Sequence, residues 1–280
     1  MKTVYLGTSA FAGEVLRALA ASPHRPALVV SRPDSPQGRG RKLTSPPAVT
    51  VARELNIEVF QPESVNDEQS RAHVAEIAPD ALCVCAFGAL IKEPLLSDYE
   101  ILNVHPSLLP RWRGAAPIER AILAGDEQTG VSIMRLTAGL DSGPVALQER
   151  VAIDPDDDYG SLATKLKAVS GRLIVQAFDE LQAGTLAARF TDQDDATATY
   201  AEKLTAEDRR LDPGQPAAAL VRRVRALSPH IGAYAELDDG SRLGVWEADV
   251  AADGSLELKT VQPPGKRPMS YADYLRGLKR

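Results

Sequence analysis

Ile101-Leu102-Asn103-Val104-His105-Pro106-Ser107-Leu108-Leu109-Pro110 is the stretch on which the fold turns. Ile101, Leu102 and Val104 read as a short buried strand, so Asn103 and His105 share its opposite face by the period-two alternation of a strand. Pro106 and Pro110 end it, because proline removes a ladder donor and fixes φ. A polar pair therefore stands at a strand's carboxyl end, with a rigid turn directly behind it.

Outward from that strand the pattern is α/β. Lys2 to Thr8 is an apolar run followed by a small-residue turn and the periodic Val15, Leu16 and Leu19, a Rossmann-like strand, turn and helix. The turn lacks the G-x-G-x-x-G spacing that lets backbone approach a pyrophosphate, so no dinucleotide cofactor is expected and Gly7 reads as packing. Ala27 to Ser31, Glu58 to Phe60 and Asp80 to Ala86 read as further strands, alternating with helices over Pro47 to Leu55 and Asp67 to Ile77. Phe87, Gly88, Ala89, Leu90 and Ile91 leave a strand's carboxyl end on the same side of the sheet as His105. In open α/β sheets that side holds the ligand crevice.

Beyond the polar pair, Ala115 to Ala124 reads as a helix, Gly130 to Leu136 and Pro144 to Ile153 as strands, and Tyr159 to Ala183 as a long helix. Residues 185 to 203 lose periodicity and read as a linker. The expected division is a domain over 1–188, a linker over 189–203 and a second domain over 204–280. The last of these carries a basic helix, Pro216 to Leu227, then strands over Gly232 to Leu237, Leu243 to Ala248 and Leu256 to Val261. Short strands separated by Asp-Gly turns suggest a small β-barrel.

Composition bounds the class. With 280 residues, 44% hydrophobic and 25% charged, the chain has ample material for a core and reads as a soluble, cytoplasmic protein. Its longest apolar runs fall short of the roughly 18 residues that a membrane span needs. The net charge is −6, yet residues 203–280 carry 13 Lys and Arg against 11 Asp and Glu, a basic tail on an acidic body. Cys83 and Cys85 lie on one side of a strand and read as buried small residues. A metal site is not expected, because it needs three or more ligands and His24, His73 and His230 share no paired spacing. Arg39, Arg41 and Lys42 sit in a long glycine-bearing connection that reads either as a solvated loop or as an arm meeting phosphate oxygens.

The polar pair suits attack of an amine on a formyl or other acyl carbon. Asn103 offers a neutral N–H to the developing oxyanion, an effect of roughly 10²- to 10³-fold. His105 is of the residue type that moves protons near neutral pH, worth about 10²- to 10⁴-fold, although a lone histidine behind a strand is as readily structural. Asp141, in the glycine-flanked Gly139-Leu140-Asp141-Ser142-Gly143, could orient the imidazole and favour its charged form. A Ser107 nucleophile has no second histidine to serve it and no G-x-S-x-G elbow.

Asn103-Val104-His105-Pro106-Ser107-Leu108-Leu109-Pro110-Arg111-Trp112-Arg113-Gly114-Ala115-Ala116-Pro117-Ile118, with Gly130-Val131-Ser132-Ile133-Met134 and the Gly139 to Gly143 loop, resembles the formyltetrahydrofolate-dependent formyltransferases. Residues 5 to 12, the Arg39 to Lys42 loop and Tyr200 to Thr205 extend the resemblance over nearly the whole chain. It implies that Asn103, His105 and Asp141 are the catalytic trio, with 10-formyltetrahydrofolate as co-substrate and no metal. Ser107, Leu108, Leu109 and Pro110 would hold the folate, and Phe87, Gly88, Leu90 and Ile91 would wall the pterin. Arg39, Arg41 and Lys42 would enter the acceptor end of methionyl initiator tRNA, with the tail domain touching the same tRNA, in a protein that acts as a monomer. Two departures concern the tRNA: the tail domain is short for the family, and Ser228-Pro229-His230-Ile231-Gly232 replaces a more usual Asn-Pro-Trp-Pro-Gly. Sugar-nucleotide N-formyltransferases, a formyltetrahydrofolate hydrolase and an RNA-binding protein without activity are the alternatives.

Overall fold

A computed structural model describes residues 1–37 and 40–278. The chain condenses into two units, Met1–Arg113, Gly130–Arg150 and Lys165–Thr199 in one, Gly114–Thr129, Val151–Thr164 and Tyr200–Arg280 in the other.

The first unit opens with β1 (Thr3–Gly7), α1 (Ala10–Ala20) and β2 (Pro26–Val30). Ser9 caps α1 by accepting the Ala12 N–H, one of the donors a helix start leaves without an internal partner. Gly7 is a packing residue: a Cβ there would lie 2.5 Å from the Tyr5 ring and 2.9 Å from Ala12 Cβ. The connection that reads as a solvated loop or a phosphate-meeting arm contains a hairpin, β3 (Ser35–Gln37) against β4 (Lys42–Thr44), with Pro36 opposite Leu43. A two-stranded ribbon is all edge, so it tolerates a proline that marks a residue as non-strand in the sequence.

There follow α2 (Pro47–Glu54), β5 (Glu58–Phe60), α3 (Glu68–Ile77), β6 (Ala81–Cys85), the short α4 (Leu95–Asp98) and β7 (Ile101–His105). After the two-residue β8 (Arg113–Gly114) come α5 (Pro117–Ala124), β9 (Gln128–Arg135), β10 (Val145–Ala152) and α6 (Tyr159–Gln182). The sheet order is β10-β9-β7-β6-β1-β2-β5. Its core pairs β1/β2, β2/β5, β1/β6 and β6/β7 are parallel, and β9 runs antiparallel to β7. Along β1 and β6 the side chains alternate. Val4, Leu6, Leu82 and Val84 enter one core cluster with Leu28, Val74 and Ile101, whereas Tyr5, Cys83 and Cys85 are buried on the other face.

The chain builds outward from β1 to β2 and β5, then returns to place β6 and β7 on the other side. The connection therefore reverses between β1 and β6, where an open parallel sheet leaves a crevice at its carboxyl ends. Gly7 is level with Cys85, and the Thr8 hydroxyl donates to Phe87 O at 2.7 Å, so this edge of the sheet is locked together.

Where periodicity fails, at 185–203, the chain forms short 3-10 turns at Leu186–Arg189 and Asp195–Thr197, an antiparallel bridge between Thr191 and Val145, and β11 (Tyr200–Ala201), which pairs with β8. The second unit adds α7 (Ala217–Leu227), β12 (Ala233–Glu236), β13 (Arg242–Val250), β14 (Leu256–Gln262), β15 (Met269–Ser270) and α8 (Tyr271–Leu278). Its strands form an antiparallel sheet in linear order β12-β13-β14-β15 over Leu220, Val224, Leu227, Leu243, Val245 and Val261. No helix among the described residues is long and apolar enough to cross a membrane.

Candidate active site

β7 carries Asn103 and His105 level with Met134 and Ser132 of β9, and both side chains are buried, at 7% and 4% exposure. His105 Nε2 lies 2.8 Å from Trp112 O. A carbonyl oxygen can only accept, so Nε2 carries the hydrogen and Nδ1 is the basic nitrogen of the neutral ring. Nδ1 faces Asp141 Oδ2 at 3.6 Å, while Asp141 Oδ1 accepts from Asn103 Nδ2 at 3.4 Å. One carboxylate thus meets both members of the polar pair. A charge that develops on the imidazole would meet its counter-charge with little intervening water, where electrostatic attraction is strong.

Two backbone features aim these groups. Trp112 has φ +65, its N–H donates to Thr199 Oγ1 at 2.9 Å, and its carbonyl is thereby turned onto the imidazole. Asp141 has φ +46, a left-handed conformation that Asp accepts more readily than most side chains. Gly143 is required behind it: a Cβ there would lie 2.0 Å from Arg135 O. Gln193 Nε2 donates to Asp141 O at 2.8 Å and Gly143 O at 2.7 Å. Neither Trp112 nor Gln193 is among the residues expected from sequence. Trp112 acts through its backbone, and Gln193 lies in an acidic run, Thr191-Asp192-Gln193-Asp194-Asp195, that gives no periodic signal.

The residues expected to hold folate divide by environment. Ser107 is fully buried and its hydroxyl donates to Arg111 O at 2.6 Å. Ser132 Oγ donates to Ser107 O and accepts from the Leu109 N–H, and Gln148 Nε2 donates to Leu109 O. This turn is therefore pre-formed by internal hydrogen bonds. Leu108 packs over Gly130, where a Cβ would come within 2.5 Å of its Cδ2, and Pro110 is half-buried. Phe87 and Ile91 belong to a buried core cluster with Val84 and Leu6, whereas Gly88 and Leu90 are exposed, Leu90 at 72%. Arg41, with φ +46, and Lys42, which opens β4, are both exposed. Arg39 lies outside the described residues. Among the described residues no three His, Cys, Asp or Glu side chains gather as a metal ion would need.

Residues 1–178 match the formyl transferase family, and residues 203–253 match the formyl transferase C-terminal domain. A methionyl-tRNA formyltransferase of Methylococcus capsulatus is 40% identical over 299 residues, spanning 98% of this chain and 96% of that protein. One of Pseudomonas paraeruginosa is 39% identical over 295 residues, spanning 98% and 94%. HypX from Aquifex aeolicus, solved in complex with tetrahydrofolic acid, superposes with a TM-score of 0.69 at 15% identity, over 98% of this chain and 47% of that one, a likeness of fold.

Proposed function

The chain belongs to the formyl transferase family, and on that premise we propose that it transfers the formyl group of 10-formyltetrahydrofolate to the α-amino group of methionyl initiator tRNA. The enzyme is a methionyl-tRNA formyltransferase serving translation initiation. The observation that carries the mechanism is the Asp141 carboxylate, with one oxygen toward Asn103 and the other toward His105.

In this reading the co-substrate brings the formyl group and the residues do the rest. Asn103 gives one amide hydrogen to Asp141 and directs the other at the oxygen that gains charge when the amine nitrogen bonds to the formyl carbon. His105 Nδ1 takes the proton that the attacking nitrogen must lose, and returns it to the folate nitrogen as the old carbon–nitrogen bond breaks. Asp141 stabilises the imidazolium between those two steps and ties the ring and the amide to one carboxylate. The internally bonded Ser107–Pro110 turn and the exposed Gly88 and Leu90 form the folate cradle. Arg41 and Lys42 of the hairpin, with Arg39, meet the acceptor end of the tRNA.

Further parts of the reading are a catalytic domain over 1–188, a linker over 189–203, a tRNA-contacting domain over 204–280, a monomeric state and action in the cytoplasm. The decisive experiment offers the protein 10-formyltetrahydrofolate with either methionyl initiator tRNA or an amino-sugar nucleotide. The expected product is formyl-methionyl-tRNA alone. Formylation of only the sugar, or tRNA retention without formyl transfer to any amine, overturns the proposal.

A further inference from the structure

We propose that Gln193 is a positioning residue for the reaction, acting on Asp141 through the backbone of the 139–143 loop; this rests on the role given to Asp141 above. The 139–143 loop turns through Asp141 at φ +46, and the carboxylate it carries must stay near 3.6 Å from His105 Nδ1. The Gln193 amide has two hydrogens and spends one on Asp141 O and one on Gly143 O, the two carbonyls that flank Ser142. The other end of the amide is equally committed. Oε1 accepts from Arg113 Nε at 3.0 Å, which sets the amide's orientation because a guanidinium can only donate.

Arg113 is itself anchored. It is 3% exposed, and its Nη2 pairs with Asp195 Oδ1 at 2.7 Å. Arg113 also donates its backbone N–H to Thr199 O, and Thr199 Oγ1 accepts from Trp112, whose carbonyl holds His105. Residues 193–199 therefore brace both partners of the imidazole–carboxylate pair, and Gln193 is the contact that reaches the carboxylate's loop. Displacement of a reacting group by about 1 Å costs up to roughly 100-fold in rate, so loss of this crossbar is read in turnover and not in tRNA affinity.

The test is Gln193→Glu, which keeps an acceptor for Arg113 and removes both donors to the loop, compared with Asp141→Asn and the double variant. Amide hydrogen exchange over residues 137–145 and steady-state formylation of methionyl initiator tRNA are measured on each. Gln193→Glu is expected to speed exchange in that segment, to lower kcat by about 10- to 100-fold and to leave the tRNA KM within about twofold. On the Asp141→Asn background it should cost nothing more, because it acts only through that residue. Unchanged exchange at 137–145, or rate losses that multiply in the double variant, overturns the inference. Full turnover in Asp141→Asn would sink the role of Asp141, and the exchange rates would still decide whether Gln193 holds the loop.

Discussion

His105 presents its Nε2 hydrogen to a backbone carbonyl, not to a carboxylate. This leaves the basic nitrogen beside Asp141, so a proton taken up at Nδ1 arrives next to its counter-charge. Asp141→Asn keeps the size of the side chain and deletes that charge. We expect kcat to fall by about 10²- to 10⁴-fold, with tetrahydrofolate affinity nearly unchanged, in single-turnover formyl transfer and equilibrium binding. Turnover near the parent rate would remove Asp141 from the chemistry. The two thiols follow a simpler physical rule. Burial pushes Cys85 up to about 12 and Cys83 well above the ordinary thiol range, so at neutral pH almost no thiolate is present to react. Iodoacetamide should leave both unmodified in the folded protein even at mildly alkaline pH, and label both once denaturant unfolds the chain. Mass spectrometry reads the difference, and fast labelling of the folded protein would contradict the burial.

β7 is an element whose two ends do different work: Ile101 and Leu102 fix it in the core, and His105 emerges where β1 and β6 also end. The β3–β4 hairpin is the opposite kind of element, short and exposed, with little buried surface to hold it. Its value is the charge it carries forward. Replacing Arg41 and Lys42 by Ala should raise the tRNA KM several-fold and flatten its dependence on log salt by about one to two units, since fewer phosphates are neutralised. The folate KM should stay put. A change confined to folate would move the hairpin out of the tRNA-contacting role. α8 shows a start signal that the sequence does contain: Ser270-Tyr271-Ala272-Asp273, in which Ser270 Oγ accepts the Asp273 N–H and donates to its carboxylate.

At the scale of the molecule, the second unit is assembled from three separate stretches of chain. Arg120 of α5 pairs with Asp208 at 2.8 Å, Arg222 of α7 donates to Leu123 O, and His230 pairs with Glu119 while stacking on Tyr159 at 3.6 Å. Partial burial would raise the Asp208 carboxyl, but the Thr205 N–H and hydroxyl and the Arg120 guanidinium outweigh it and hold the carboxyl below its usual range. A chain ending at residue 203 would lose the α7 and β12–β15 side of that unit and leave α5 without these partners. Its melting temperature in calorimetry should fall by at least about 5 °C, the shift that one to two kcal/mol produces at this size. An unchanged melting temperature would mean that residues 1–203 are stable without the tail. Strand and helix periods, proline and glycine punctuation, and the polar pair at the end of β7 were all determined by the sequence alone, because each depends on neighbours a few residues apart. The hairpin escaped that reading because Pro36 hides its strand character. The meeting of Asp141 with Asn103 and His105, the two carbonyls held by Gln193, and the three-stretch second unit were decided only by tertiary structure. Contacts between residues dozens of positions apart leave no period in the chain, and only the packed sheet brings their atoms within bonding distance.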